Sequence, residues 1–187
     1  MPAGNHRAAR VALRIAITSG LIVAALSAST PAFATEHEWH TGGSFGYAMI
    51  DFPRGLARNG FGGGFHARYG LTDAIDVTMN ASLFGFPTDD RIAPQTTAGI
   101  SYVVDVSRWF ATVGVDAGVM DLIGVASCDE LPSRCGHIVM PAVGVPVTLE
   151  FRVVPEVPIG VRFEYQLLFL GGPSQAMFVG AYAAFAK

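Results

Sequence analysis

Seven ionisable side chains sit at alternate positions inside otherwise apolar stretches: His66, Arg68, Asp76, Asp116, Glu150, Arg162 and Glu164. Charges set among apolar residues in this way do one of two things. They pair, so that the loss of solvation is offset, or they line a route or pocket for a polar ligand. Arg68 and Asp76 flank a short turn and are expected opposite one another. Glu150 and Arg162 are expected as diagonal neighbours on adjacent strands. An internal ion-pair network is the arrangement expected; a gated pathway or ligand pocket is the alternative.

Three smaller constellations also carry possible chemistry. Cys128 and Cys135 bracket Asp-Glu-Leu-Pro-Ser-Arg, and two nearby cysteines in an exported chain read as a disulfide rather than a metal site. Closing that loop would contribute roughly 2 to 3 kcal/mol in the chain-entropy account. If cleavage follows Ala34, the mature chain begins Thr35-Glu36-His37, with His40 close behind. A free amine, two amide nitrogens and the His37 imidazole can hold copper or nickel in a square plane. That spacing is common by chance, and a solvated tail is expected instead. No cofactor is expected.

His137 and Asp121 share a parity near one rim, with Ser127 in the same connection. Together they have the side-chain types of a nucleophile-and-base set, as an outer-leaflet lipid-modifying enzyme would need. No nucleophile motif accompanies them, and polar groups at an interface need no catalytic role. The chain is expected not to be an enzyme.

Placing these residues requires strands. From Pro158 to Leu170, Ile159, Val161, Phe163, Tyr165, Leu167 and Phe169 take one parity while Gly160, Arg162, Glu164 and Gln166 take the other. A strand sends successive side chains to opposite faces, so one face is apolar and the other polar. Seven further segments of strand length are read at Gly43–Phe52, Phe61–Gly70, Ile75–Phe86, about Gln95–Val104, Arg108–Leu122, Ile138–Phe151 and Gln175–Phe185. Pro141 and Pro146 predict a bulge or a distorted ladder in the sixth. The eighth is apolar on both faces, so alternation does not assign its sides.

The first 34 residues read as an export signal. His6, Arg7, Arg10 and Arg14 form a basic start, Ile15 to Ala28 a 14-residue apolar run, and Ala32-Phe33-Ala34 a small-residue cleavage site. Such a run falls short of the roughly 20 residues a spanning helix needs. Beyond it, residues 35–42 are expected as a flexible start and 43–187 as the folded body. Loss of three arginines leaves 9 basic against 15 acidic residues, a formal charge of −6, with no basic stripe. Nucleic acid is therefore an unexpected partner.

Only 14% of the chain is charged, and mean hydropathy is +0.41. A hydrophobic exported chain without a spanning helix points to a closed β-barrel, which also satisfies its backbone in lipid. Bulky apolar residues on one face, against Gly, Ser, Thr and isolated charges on the other, invert the pattern of a soluble barrel. Connections of alternating length also match tight periplasmic turns and longer external loops. The fold expected is all-β, an eight-stranded antiparallel up-and-down transmembrane β-barrel after a cleaved signal peptide.

Arg68-Tyr69-Gly70-Leu71-Thr72-Asp73, followed by the strand from Ile75, resembles the strand–turn–strand units of small bacterial outer-membrane barrel proteins. The aromatic-rich last strand is similar to theirs as well, although Lys187 ends the chain and Phe185 lies two places earlier. This resemblance implies the eight-stranded architecture of outer membrane protein A or X type domains, surrounded by outer-membrane lipid in a Gram-negative bacterium. It also implies recognition by the barrel-assembly machinery. A structural or surface-interaction role toward an unspecified external ligand is expected. The alternatives are a narrow channel for small or hydrophobic solutes and, after it, the lipid-modifying enzyme.

Overall fold

Runs of Val, Phe, Tyr, Ile and Thr spaced by glycine favour extended backbone, and their period of two gives each strand a bulky and a small face. In the computed structural model, residues 37–51, 57–106, 108–124, 136–169 and 173–187 are described. They form eight strands: β1 (Trp39–Asp51), β2 (Ala57–Gly70), β3 (Ile75–Phe86), β4 (Arg91–Val106), β5 (Trp109–Gly124), β6 (His137–Val154), β7 (Val157–Phe169) and β8 (Pro173–Ala186). Each is antiparallel to its sequence neighbours. β8 returns to β1 from His40↔Ala186 to Asp51↔Gln175, closing the barrel. Closure leaves no unpaired sheet edge.

The predicted third strand coincides with β3, and β7 is displaced from its expected span by a single residue. β1 starts four residues before the expected Gly43, so Trp39 to Gly42 are paired in the ladder and not part of a flexible start. The reason lies at the closing seam. Trp39 exchanges two backbone hydrogen bonds of 2.9 Å with Lys187, and the His37 N–H donates to the Gly70 carbonyl at 2.9 Å. Pro146 breaks the ladder without shifting it: β5–β6 pairing lapses between Val113↔Val147 and Asp116↔Gly144, and the register resumes unchanged. The one register shift along β6 falls at Arg152 and Val154, beside the turn to β7.

Side chains divide cleanly between wall and lumen. Phe45, Phe65, Met79, Ile100, Val115, Val145 and Val161 point outward and are exposed, whereas their neighbours along each strand turn inward and are buried or half-buried. β8, ambiguous by alternation, turns Ser174, Ala176, Phe178, Tyr182, Ala184 and Ala186 inward. Aromatic pairs mark both ends of the wall. Trp39 meets Tyr69 at 4.9 Å and Trp109 meets Phe151 at 5.0 Å at the end that holds Lys187. Toward the opposite end, Tyr47 meets Phe61 at 5.8 Å. An apolar band between aromatic girdles is the outer surface of a barrel in lipid.

Residues 1–36 and 125–135 lie outside the described residues. The signal segment, Cys128, Cys135 and Ser127 fall there.

Candidate functional site in the barrel lumen

An eight-stranded barrel has an interior just wide enough for side chains to fill. This lumen has two zones. Toward the end that carries the 87–90 and 125–136 connections, Ile50, Phe86, Met120, Leu122, Met140 and Leu168 are buried to 2% exposure or less and pack with Phe84, Ala142 and Phe178. They form an apolar plug. Between the plug and the end that holds Lys187 the interior is polar, and all seven predicted charges lie there, each buried.

Arg68 is the centre of one cluster. Its Nε lies 3.0 Å from Asp76 Oδ2, and its two terminal nitrogens donate to Glu150 Oε1 and Oε2 at 2.9 and 3.3 Å. The Nη2 also lies 3.1 Å from His40 Nδ1. At the terminal mouth, Glu38 sits 3.3 Å from both His40 and Arg152, and the Arg152 guanidinium covers the Phe110 ring at 4.0 Å. A second cluster runs across the lumen. Arg162 donates to Glu164 at 3.2 and 2.7 Å and to Asn80 Oδ1 at 2.9 Å. Asn80 then donates to Thr97 at 3.1 Å, and Thr97 to Asp116 at 3.0 Å. Gln166 closes the chain by donating to the other Glu164 oxygen.

The expected ion pairs are therefore met in part. Arg68 binds Asp76, but one step off direct opposition, because register places Thr78 opposite Arg68 and Gly70 opposite Asp76. Glu150 and Arg162 are diagonal neighbours, since Thr148 pairs with Arg162 and Glu150 with Gly160. Their ion pairs nevertheless lie elsewhere. Glu150 turns to Arg68 on the facing wall, and Arg162 takes Glu164, two residues along its own strand. The lumen is narrow enough for long side chains to cross it. β2 and β6 stand half-way round the barrel from each other, as do β3 and β7, so Arg68–Glu150 and Arg162–Asn80 brace two diameters.

Buried His40 and Tyr182 are among the additions to the seven predicted lumen residues. By sequence His40 falls in the expected flexible start; the signal that places it inside is its parity with the Ser44, Ala48 and Ile50 series. Tyr182 belongs to the strand that is apolar on both faces, where alternation carries no signal. His66 joins neither ion-pair cluster and stacks on Tyr182, ring centroids 4.4 Å apart.

The remaining candidates lie outside the lumen. His137 Nδ1 lies 2.9 Å from Asp121 Oδ2 on the outer face of β5 and β6, with His137 well exposed. These two residues of the candidate set do meet. The His37 amide N–H is committed to Gly70 and its ring stands edge-on to Tyr69 at 6.2 Å, whereas a square-planar chelate would need that amide nitrogen. Among the described residues, no group of three or more His, Cys, Asp or Glu gathers as a metal site, and no helix is long and apolar enough to cross a membrane.

No protein-family model matches the chain, and no curated protein matches it. Solved structures do. Neisserial surface protein A (NspA) superposes with a TM-score of 0.65 at 12% identity, covering 79% of this chain and 96% of that one. The N-terminal β-barrel domain of OprF from Pseudomonas aeruginosa gives 0.61 at 14% identity, with 81% and 98% covered. Ail, the attachment invasion locus protein of Yersinia pestis, gives 0.56 at 13%, with 81% and 99% covered. The fold is that of the eight-stranded outer-membrane β-barrels. At these identities the likeness is one of backbone, and this barrel's charge network rests on its own residues.

Proposed function

We propose that this chain acts in the outer membrane of a Gram-negative bacterium as a non-enzymatic, non-conducting barrel with a structural or surface-interaction role. The observation that carries this reading is the filled lumen: an apolar plug toward the loop end, and beneath it a charge network braced across two diameters. The wall supplies the lipid contact, which leaves the loop-end connections as the surface presented to the outside. In this reading residues 1–34 are removed on export, and Cys128 and Cys135 staple the 125–136 connection. The barrel-assembly machinery inserts the chain, and no cofactor or nucleic acid takes part. Ail is an attachment invasion locus protein, and its shared fold supports the surface-interaction role by analogy.

Two measurements test the proposal together. Purified barrel in planar bilayers is expected to give no conductance steps; regular steps would replace this reading with the narrow channel. Cells lacking the gene are expected to lose surface attachment or envelope integrity while lipid acylation stays unchanged.

A second reading is favoured by one contact, the His137–Asp121 pair at 2.9 Å on the wall near the loop end. A carboxylate that orients an imidazole is the support a general base needs, and outer-leaflet lipid is the substrate within reach. Lipid acylation that changes on gene deletion, and is restored by wild type but not by His137→Ala, would establish the enzyme in place of the structural role.

A further inference from the structure

The polar zone of the lumen contains a cavity of about 30 Å³ whose lining includes His66, Arg68, Thr78, Ser101, Arg162 and Tyr182. His66 and Ser101 are each 5% exposed. Both ring nitrogens of His66, Ser101 Oγ and Thr78 Oγ1 have no hydrogen-bond partner among the described residues. A neutral imidazole carries one donor and one acceptor, and each hydroxyl carries both. Buried polar groups in folded proteins are almost always paired with protein or ordered solvent, because a low-dielectric interior penalises the unpaired state. Here four such atoms belong to residues that line one space, on three successive strands β2, β3 and β4.

We propose that this chamber is a binding site for water, held by His66, Thr78 and Ser101. A polar cavity of about 10–15 Å³ suffices for one water, and this chamber exceeds that. Water also satisfies the chemistry from both sides, donating to the acceptor nitrogen of His66 and accepting from the other. The competing occupant of similar size is an inorganic anion, since two guanidiniums line the space. Those cations are already spent: Arg68 lies on Asp76 and Glu150, and Arg162 on Glu164. With Asp116, four buried carboxylates face two guanidiniums, so an added anion meets an interior already in negative excess. Neutral water meets no such opposition. The plug closes the chamber toward the loops, which makes the polar zone a hydrated pocket beneath an apolar seal.

Crystals of the wild-type barrel grown in chloride and in bromide test this directly. The expected result in both is a water-sized density peak at about 2.7–3.2 Å from a His66 ring nitrogen, with no bromine anomalous signal. A bromine signal there assigns an anion and overturns the proposal. A chamber without density, or a His66 ring bonded to another protein group, also overturns it. NMR in micelles gives a second readout. A cross-peak between water and the His66 ring is expected for wild type and is expected to vanish in Ser101→Val, which removes one hydroxyl and fills space. Its persistence in a folded Ser101→Val barrel counts against the site. Should that variant fail to fold, the wild-type cross-peak decides, its absence overturning the proposal.

Discussion

Arg68 holds two buried carboxylates at once, so its loss does more than remove one ion pair. Arg68→Leu leaves Asp76 and Glu150 without their shared cation in the lumen, and breaking even one buried pair from one side costs about 3–5 kcal/mol. Replacing Glu150 with Gln is milder, because Asp76 still neutralises the guanidinium and the amide keeps an acceptor. We expect Arg68→Leu to lower the urea midpoint of the barrel in lipid vesicles severely, and Glu150→Gln to lower it by less than half as much. Trp39 and Trp109, the two tryptophans, stand on the wall and report unfolding by fluorescence. Equal effects of the two variants would remove Arg68 from the centre of the network. Parity along the strands made all seven charges legible as lumen residues. It made the Arg68–Asp76 pair legible but not Arg68–Glu150, which crosses a diameter and depends on closure, which adjacent-strand reasoning does not contain.

Among the strands, glycine on the lumen face sets how closely neighbours approach. A Cβ at Gly99 of β4 would fall on the Val115 carbonyl oxygen and lie 2.7 Å from Asp116 Cα, both on β5. These are backbone atoms, which cannot rotate away as a side-chain tip would. Ala98, one residue earlier, faces outward and is exposed. Gly99→Val is therefore expected to abolish folding, seen as loss of the migration difference between unheated and boiled samples on a denaturing gel. Ala98→Val should preserve that difference and change stability by under about 0.5 kcal/mol, as surface substitutions usually do. A Gly99→Val barrel that still shows the shift would disprove the close-approach account. Strand existence was legible throughout because the period of two is a local property. Strand ends were not: β4 runs from Arg91 to Val106 where only Gln95 to Val104 alternates clearly, since the extra pairs depend on a neighbouring strand. The faces of β8 were likewise fixed only by its ladders to β7 and β1.

At the scale of the whole molecule, the same eight strands could in principle enclose an apolar interior with a wet exterior, and the two arrangements respond oppositely to an outward charge. Val145 lies near the middle of β6, facing out and exposed; Val153 is exposed beside the turn to β7. In lipid, an arginine at mid-wall costs about 2–4 kcal/mol, and one near an interface about 0–1, because only the latter reaches headgroups and water. In water both would be near neutral, since each position is exposed. We expect Val145→Arg to destabilise the vesicle-embedded barrel by about 2–4 kcal/mol and Val153→Arg by no more than about 1. Two small, equal effects would contradict a lipid-facing wall. The depth dependence is what makes the test specific, because a packing defect at either valine would not grade with height. It also explains why the barrel's location was more legible than its role. A lipid-facing wall demands a long, repeated pattern from nearly every strand. Attachment, by contrast, asks for a few residues in the connections, where no periodicity marks them.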